Sequence, residues 1–130
     1  MLITGLLCSM LLSIACSDDA PKVSGETLKS VHKITFVELG SVNCIPCKKM
    51  QPVMAAIEAK YGDQIDVVFY DVWEEDQKQY ARDYGIRLIP TQVFLDSSGT
   101  EIFRHEGFYP ESEINAFLAS KGLIALPQAE

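Results

Sequence analysis

The chain has 130 residues, 48% hydrophobic and 22% charged, which is enough for one domain with an ordinary buried core. Its formal net charge of −7 argues against a nucleic-acid partner, because binding to phosphate requires a clustered basic surface. The apolar content excludes an intrinsically disordered chain, and the absence of any sequence period excludes repeat and collagen-like architectures.

The first predicted segment, residues 1–16, is an apolar leader. No Lys, Arg, Asp or Glu occurs before Asp18, so no basic residue opens the run. The run is shorter than the roughly 20 residues of a membrane-spanning helix and is more typical of the apolar core of a secretory signal. Residues 12–16 (Leu-Ser-Ile-Ala-Cys) are similar to a bacterial lipoprotein processing site, which implies cleavage before Cys16 and lipidation of its thiol.

Three other interpretations of the leader stay open: an ordinary cleaved signal, an uncleaved N-terminal anchor, and a true start codon further upstream. The lipoprotein interpretation predicts a bacterial cell-envelope protein attached to a membrane through its N-terminus, on the periplasmic face. An ordinary signal predicts a soluble periplasmic protein instead. Lipoprotein processing would also remove Cys8 and block Cys16, which leaves one reactive pair of thiols in the mature chain.

Three further segments are expected after the leader. Residues 17–30 are polar and include Pro and Gly, which predicts a flexible tether. Residues 31–123 carry the pattern of one folded domain, and residues 124–130 form a short C-terminal tail.

The domain is predicted to contain seven elements in the order β-α-β-α-β-β-α. Its strands are rich in β-branched and aromatic residues, and its helices carry apolar residues at helical spacing. The strands are predicted at 34–39, 65–70, 91–95 and 100–104, and the helices from 44–47 to about 61, at 74–84 and at 111–120. The first half alternates as a parallel βαβ unit and the last two strands form a hairpin, so we expect an α/β fold whose central mixed sheet has helices on both faces.

Cys44 and Cys47 are separated by two residues and lie where the first predicted helix begins. At this spacing two cysteines can close a small disulfide ring without moving the backbone. A helix N-terminus favours an anion, so we expect the Cys44 thiol to ionise more easily than a free thiol and to attack first. Cys47 is expected to be more buried and to attack second, as thiol–disulfide exchange through a mixed disulfide requires.

Spacing alone also allows the cysteine pair to be half of a zinc site or a plain stabilising disulfide. Zinc takes four ligands, and the remaining candidates are scattered carboxylates and two histidines, His32 and His105, which we expect at the surface or at a strand edge. The sequence holds no second Cys-x-x-Cys motif, and a disulfide that closes so short a loop stabilises a chain only to a limited extent. A redox use is therefore favoured, with no metal and no other cofactor expected.

From about residue 31 to residue 122 the sequence resembles the thioredoxin superfamily. The matching residues are Cys44-Ile45-Pro46-Cys47-Lys48, Pro52, Tyr84-Gly85-Ile86-Arg87, Ile89-Pro90-Thr91 and Gly107. The resemblance implies a thioredoxin-like fold and a thiol:disulfide oxidoreductase whose redox disulfide is Cys44–Cys47. It also implies that the client, meaning the protein whose disulfide reacts, binds against Ile45, Pro46, Ile89 and Pro90.

Pro90 corresponds in this resemblance to a cis-proline beside the redox disulfide. The backbone of Ile89 would then offer an N–H and a C=O to an extended client segment, as an added strand would use. The alternative interpretation of Pro90 is a proline that opens an edge strand.

Glu38 lies six residues before Cys44, where thioredoxins carry a buried Asp. Its sequence neighbours are apolar, so a solvated Glu is unexpected at this position. Because burial raises the pKa of a carboxyl, the resemblance implies that Glu38 accepts or relays the proton of Cys47. The alternative is a Glu that faces water.

Departures from thioredoxin bear on the expected partner. Asn43 replaces a Trp, Ile45 replaces a Gly, and Phe69 falls where a buried Lys is usual. Together with the leader, these departures look more like the exported, membrane-tethered relatives. The implied partners are disulfide-containing exported proteins, apocytochromes c among them, and a membrane thiol-electron carrier as the reductant.

The direction of electron transfer is predicted from the two residues between the cysteines. Strong oxidants stabilise their reduced form, and in this superfamily they usually carry a His there. Ile45 and Pro46 offer no charge and no side-chain donor, which favours a reductase. The alternatives are a disulfide oxidant or isomerase of the same fold and, less favoured, a copper metallochaperone, although related copper carriers use a wider Cys spacing and a distant His.

Overall fold

A computed structural model of the protein describes residues 33–127. The predicted leader, the tether, the Cys16 lipidation site and His32 lie outside the described residues. The described elements are β1 (Ile34–Gly40), α1 (Ile45–Tyr61), β2 (Ile65–Asp71), α2 (Gln79–Asp83), β3 (Thr91–Asp96), β4 (Glu101–Glu106) and α3 (Glu111–Ser120), with a short 3-10 turn at Gly62–Gln64. Across this part of the chain, no helix is long and apolar enough to cross a membrane.

The strands form one mixed sheet in the order β2-β1-β3-β4, which confirms the predicted fold class. β1 pairs in parallel with β2 and antiparallel with β3, and β3 pairs antiparallel with β4. Six of the seven residues of β1 are buried, because it is paired along both edges and covered on both faces. This central strand carries Glu38 into the middle of the molecule.

Each face of the sheet carries its own apolar cluster. Phe36 and Phe94 stack with ring centroids 4.7 Å apart on the face that α1 and α3 cover. Val37 and Leu39 point to the opposite face, where they pack with residues of the α2 region. Helices therefore lie on both sides of the sheet, as predicted.

The helix predicted over residues 74–84 is present but shorter than predicted, because α2 covers only Gln79–Asp83. The segment before it forms turns, in which the N–H groups of Gln77 and Lys78 both donate to the C=O of Glu74. The side chain of Gln77 also accepts the backbone N–H of Asp71 at 3.0 Å, which holds the segment against the end of β2. Residues 74–78 offer no apolar face for packing, so a longer helix gains little there. The other elements agree with the prediction to within about two residues.

Candidate redox site

Cys44 and Cys47 form a disulfide at the N-terminus of α1, with their Cα atoms 5.2 Å apart. Cys44 is the N-cap residue of α1, and Pro46 lies in the first turn, where a helix loses no hydrogen bond to proline. Cys44 is 8% exposed and Cys47 is fully buried. The cysteine expected to attack first is therefore the more accessible of the two.

Asp71, which was not predicted as a site residue, anchors the loop that leads to Cys44. Its Oδ2 accepts the N–H of Val42 at 3.0 Å and the hydroxyl of Ser41 at 3.3 Å, and its Oδ1 accepts the N–H of Trp73 at 3.1 Å. Burial raises the pKa of Asp71, but the hydrogen bonds from Val42, Trp73 and Ser41 outweigh burial and lower it. The ionised carboxylate thus ties together the loops that follow β1 and β2.

Gly40 allows the end of β1 to pass directly against the buried cysteine. A Cβ atom at residue 40 would lie 3.2 Å from both Cβ and Sγ of Cys47. Glu38 lies two residues earlier, and alternate residues of a strand share a face. The Glu38 side chain therefore occupies the next position along the face of β1 that meets Cys47.

Glu38 is fully buried and does not face water. Burial raises its pKa from 4.5 to about 8. Its partners across the neighbouring strands are Phe69 on β2 and Gln92 on β3. Gln92 lies close enough to lower this pKa to some extent, yet neither carboxyl oxygen has hydrogen-bond geometry to any group in the described part of the chain. At neutral pH Glu38 is largely a carboxylic acid, and it can exchange a proton in the pH range where thiols ionise.

The peptide bond between Ile89 and Pro90 is cis, in the form that the resemblance implies. The C=O of Pro90 accepts the N–H of Gly107 at 2.8 Å, and the hydroxyl of Thr91 donates to the C=O of Leu88 at 2.7 Å, so the loop is held on both sides. Among residues 33–127, neither the N–H nor the C=O of Ile89 has a hydrogen-bond partner. This backbone is therefore available to an extended segment of another chain.

The cis-proline loop and the disulfide lie at the same end of the sheet. Thr91 pairs with Leu39, so Pro90 lies beside the end of β1, where Gly40 contacts Cys47. We call this the redox end of the sheet. The structure thus brings together Cys44, Cys47, Glu38, Ile45, Pro46, Ile89 and Pro90, the predicted site residues within the described range.

Large apolar side chains are exposed in the loops of the redox end and at the first residue of α1. They are Val42, Ile45, Trp73, Leu88 and Phe108, and their exposed fractions run from 43% to 73%. A groove of about 310 Å³ lies between Trp73, Leu88 and Ile89. A concentration of exposed apolar groups of this kind is typical of a surface that binds another molecule. Trp73 was not predicted as a site residue, and its one signal in the sequence is its place shortly after a predicted strand.

No group of three His, Cys, Asp or Glu side chains within the described residues is arranged to hold a metal ion. His105 is half-buried on β4, an edge strand of the sheet. Its ring stacks on Tyr109 with ring centroids 4.2 Å apart, and its Nε2 lies 3.2 Å from the C=O of Phe108.

Comparison with known sequences identifies relatives of this arrangement. A family model described as a thioredoxin-like domain matches residues 22–121. Thioredoxin from Mycolicibacterium smegmatis is 35% identical over 83 residues, which are 64% of this chain and 71% of that protein. The chloroplastic thioredoxin-like protein HCF164 of Arabidopsis thaliana is 30% identical over 108 residues, 80% of this chain and 41% of that protein. Chloroplastic thioredoxin Y of rice is 30% identical over 89 residues, and the match spans about half of its length (51%).

Solved structures show the same likeness. The crystal structure of thioredoxin NaTrxh from Nicotiana alata superposes with a TM-score of 0.59 at 31% identity, covering 68% of this chain and 73% of that one. The germline-specific thioredoxin Deadhead of Drosophila melanogaster superposes with a TM-score of 0.60 at 24% identity, covering 70% and 83% of the two chains. The second match is a likeness of fold.

Proposed function

The chain belongs to the thioredoxin-like family, and we propose that it is a protein-disulfide reductase that passes two electrons from Cys44 and Cys47 to disulfides of exported proteins. The observation that carries the proposal is the Cys44–Cys47 disulfide at the start of α1, placed at the same end of the sheet as the cis Ile89–Pro90 bond. The buried carboxyl of Glu38 on the adjoining strand supplies a proton acceptor for the same reaction.

In the first step, the thiolate of Cys44 attacks one sulfur of the client disulfide. A mixed disulfide forms between Cys44 and the client, and the second client sulfur leaves as a thiolate. The N-terminus of α1 stabilises negative charge on Cys44 in the reduced protein, and the greater accessibility of Cys44 lets the client reach it.

In the second step, the sulfur of Cys47 attacks the Sγ of Cys44. Its thiol proton passes to the carboxylate of Glu38, the Cys44–Cys47 disulfide forms, and the remaining client sulfur leaves as a thiolate. The client has then gained two electrons and the protein has lost two. A membrane thiol-electron carrier is the proposed source of the two electrons that restore the dithiol.

The client is proposed to bind as an extended segment across the redox end. The unpaired N–H and C=O of Ile89 can pair with its backbone, as an added strand would. Exposed Ile45 and the groove beside Trp73 can cover its apolar side chains. An unfolded exported chain, such as an apocytochrome c, presents backbone and apolar groups of this kind.

Reduction rather than oxidation is proposed because nothing between the cysteines would stabilise the Cys44 thiolate further. Ile45 is 73% exposed and apolar, and Pro46 carries no donor. The reduction potential of the Cys44–Cys47 couple tests the direction. A value near that of thioredoxin, about −270 mV, is expected, and a value near that of the strong oxidants, about −120 mV, would reverse the proposal.

Reductase activity can be tested by the reduction of insulin in the presence of dithiothreitol. The wild-type chain should accelerate insulin reduction, and Cys44→Ala should abolish the acceleration. Stoichiometric tight binding of Cu(I) without reductase activity would favour the copper-carrier alternative instead.

Attachment to the periplasmic face of a bacterial membrane is proposed from the leader and Cys16. The full-length chain expressed in a bacterium should incorporate a labelled fatty acid and fractionate with membranes. Cys16→Ser should lose the label. A wild-type chain that is cleaved but carries no lipid would instead be a soluble periplasmic protein.

A further inference from the structure

Gln92, the second residue of β3, carries a fully buried amide. Its Nε2 and Oε1 lack a hydrogen-bond partner within residues 33–127, and so do both carboxyl oxygens of Glu38. Burial of an unpaired amide opposes folding, and buried polar side chains in proteins are nearly always hydrogen-bonded. Four unpaired polar atoms at one place in a core therefore call for a functional explanation.

Gln92 and Glu38 face each other directly across the β1–β3 pair. Both side chains point to the face where Phe36 and Phe94 stack, since alternate residues of a strand share a face. Residues opposite each other in an antiparallel pair have Cβ atoms about 4.5–5.5 Å apart, which is within the reach of two such side chains. On its other side, Glu38 is opposite the apolar Phe69.

We propose that Gln92 is a positioning residue for proton transfer at Glu38, with its N–H group turned to the carboxylate and its C=O turned to the carboxylic acid. A primary amide carries a donor and an acceptor on one rotatable group, so it can pair with both forms of a carboxyl. As the proton passes from Cys47 to Glu38, Gln92 exchanges one hydrogen bond for the other. This inference rests on the proposed function, in which Glu38 takes up that proton.

The Gln92 amide affects the balance between the carboxylate and the carboxylic acid of Glu38. Burial raises the pKa of Glu38 to about 8, and Gln92 opposes that rise. An apolar side chain at residue 92 would leave the carboxylate without a donor and favour the acid. Fewer molecules would then hold the base that Cys47 requires, and the second step of the reaction would slow at neutral pH.

Other titratable groups lie on the elements around Glu38. Within the described part of the chain they are Cys47 on α1, Asp71 at the end of β2, His105 opposite Gln92 on β4, and Tyr109 before α3. Asp71 is engaged by the loop after β1, and His105 stacks on Tyr109. The causes of the Glu38 pKa shift are burial and Gln92, which makes residue 92 the position that tunes this carboxyl.

Gln92→Met tests the proposal, because Met has a similar length and offers neither a donor nor a strong acceptor. Carbon-13 NMR of labelled glutamate carboxyls in the oxidised protein reports the titration of Glu38 without reference to activity. We expect the Glu38 midpoint to move to higher pH by about one unit, which is about tenfold less carboxylate at pH 7.

The same variant should slow the attack of Cys47. A mixed disulfide of Cys44 with thionitrobenzoate releases a coloured thiol when Cys47 displaces it. The release should be about tenfold slower at pH 7 in Gln92→Met, and its pH profile should move in the same direction as the NMR midpoint. In a Glu38→Gln background, Gln92→Met should leave the pH profile unchanged.

Two variants separate positioning from a structural effect. Val93→Ala changes a buried neighbour on the opposite face of β3, and it should lower stability without moving the Glu38 midpoint. Gln92→Asn keeps the amide on a shorter side chain and should recover part of the shift. If Met cannot be accommodated at residue 92, Gln92→Leu provides the same test with another apolar side chain.

An unchanged Glu38 midpoint in folded Gln92→Met overturns the inference. A rate loss that is equal at all pH values, as a structural effect would give, also overturns it. If instead Glu38→Gln shows the same pH profile of thionitrobenzoate release as the wild type, the proton-acceptor role of Glu38 in the proposed function fails. The NMR midpoints of Glu38 in wild type and Gln92→Met still test the role of Gln92 separately.

Discussion

Gly40 and Cys47 are in such close contact that even a Cβ atom at residue 40 would press on Cys47. A Cβ atom at residue 40 would lie 3.2 Å from Cβ and Sγ of Cys47. The contact fixes the depth of the buried cysteine relative to β1, and with it the position of Cys47 relative to Glu38. The spacing between the Cys47 thiol and its proposed base, Glu38, thus depends on a residue without a side chain.

Gly40→Ala should destabilise the oxidised protein by about 1–3 kcal/mol, the usual cost of adding a methyl group to a packed core. It should also slow the release of thionitrobenzoate from Cys44, because Cys47 must move away from Glu38. Urea unfolding and the release assay measure the two effects. Unchanged values of both would show that the contact relaxes freely and does not set the position of Cys47.

Glu38 should make the stability of the oxidised protein depend on pH. Its pKa is raised from 4.5 to about 8 in the folded state, so the folded state holds a proton that the unfolded state has lost between these values. The stabilisation is complete below pH 4.5 and is lost as the pH rises to about 8. The slope is about 1.4 kcal/mol per pH unit, or about 5 kcal/mol in total.

Urea unfolding of wild type and Glu38→Gln at several pH values between 4.5 and 8 measures this contribution. The difference between the two free energies of unfolding should change steadily across the range, because Gln does not titrate. A constant difference would mean that Glu38 titrates at an ordinary pKa in the folded protein, and it would remove the basis for its proposed role.

Asp71→Asn should loosen the loop that leads to Cys44. The amide can accept fewer of the three hydrogen bonds from Ser41, Val42 and Trp73, and the loss of bonds to a charged group costs about 1–3 kcal/mol. Because the pKa of Asp71 is lowered in the folded state, its contribution is present above the ordinary Asp value of 3.8 and is lost at lower pH.

Asp66 offers a matched control, since it lies exposed on the same strand. Asp66→Asn should leave both stability and the rate of disulfide reduction by dithiothreitol near wild type. Asp71→Asn should lower the stability and raise the rate of disulfide reduction. Equal behaviour of the two variants would contradict the anchoring role of Asp71.

The sheet and the long helices could be predicted because their signals are local. Ile34–Gly40 is a run of β-rich residues, and the apolar side chains of α1 recur at helical spacing. The length of α2 could not be predicted, because the carbonyl of Glu74 and the side chain of Gln77 are used in turns that depend on the end of β2. A short window of sequence does not show these contacts, and the residues within it have the pattern of an ordinary polar helix.

Site residues that belong to a sequence motif could be predicted, whereas residues that join the site only through strand register were missed. Cys44, Cys47 and Pro90 belong to motifs that are visible in the sequence. Gln92 becomes a partner of Glu38 only when β3 pairs antiparallel with β1, a match across more than fifty residues. Asp71 reaches the Val42 N–H in the same way, through the parallel pairing of β1 and β2.

Trp73 should report client binding directly, because it is the single Trp of the sequence and is 60% exposed beside the groove at Ile89. A client peptide trapped in a mixed disulfide with Cys44 of the Cys47→Ser variant should shift the Trp73 emission to shorter wavelength.

Trp73→Ala should raise the KM for a protein client by about 5- to 30-fold, as expected for the loss of an aromatic contact worth about 1–2 kcal/mol. Reaction with dithiothreitol should be unaffected, since a small thiol does not fill the groove. Ile124→Ala removes another exposed apolar side chain, at a residue whose backbone is hydrogen-bonded to Gln64 beside the opposite end of β2, and it should leave the KM unchanged. A KM that responds alike to both substitutions, or to neither, would show that the groove beside Trp73 does not bind the client.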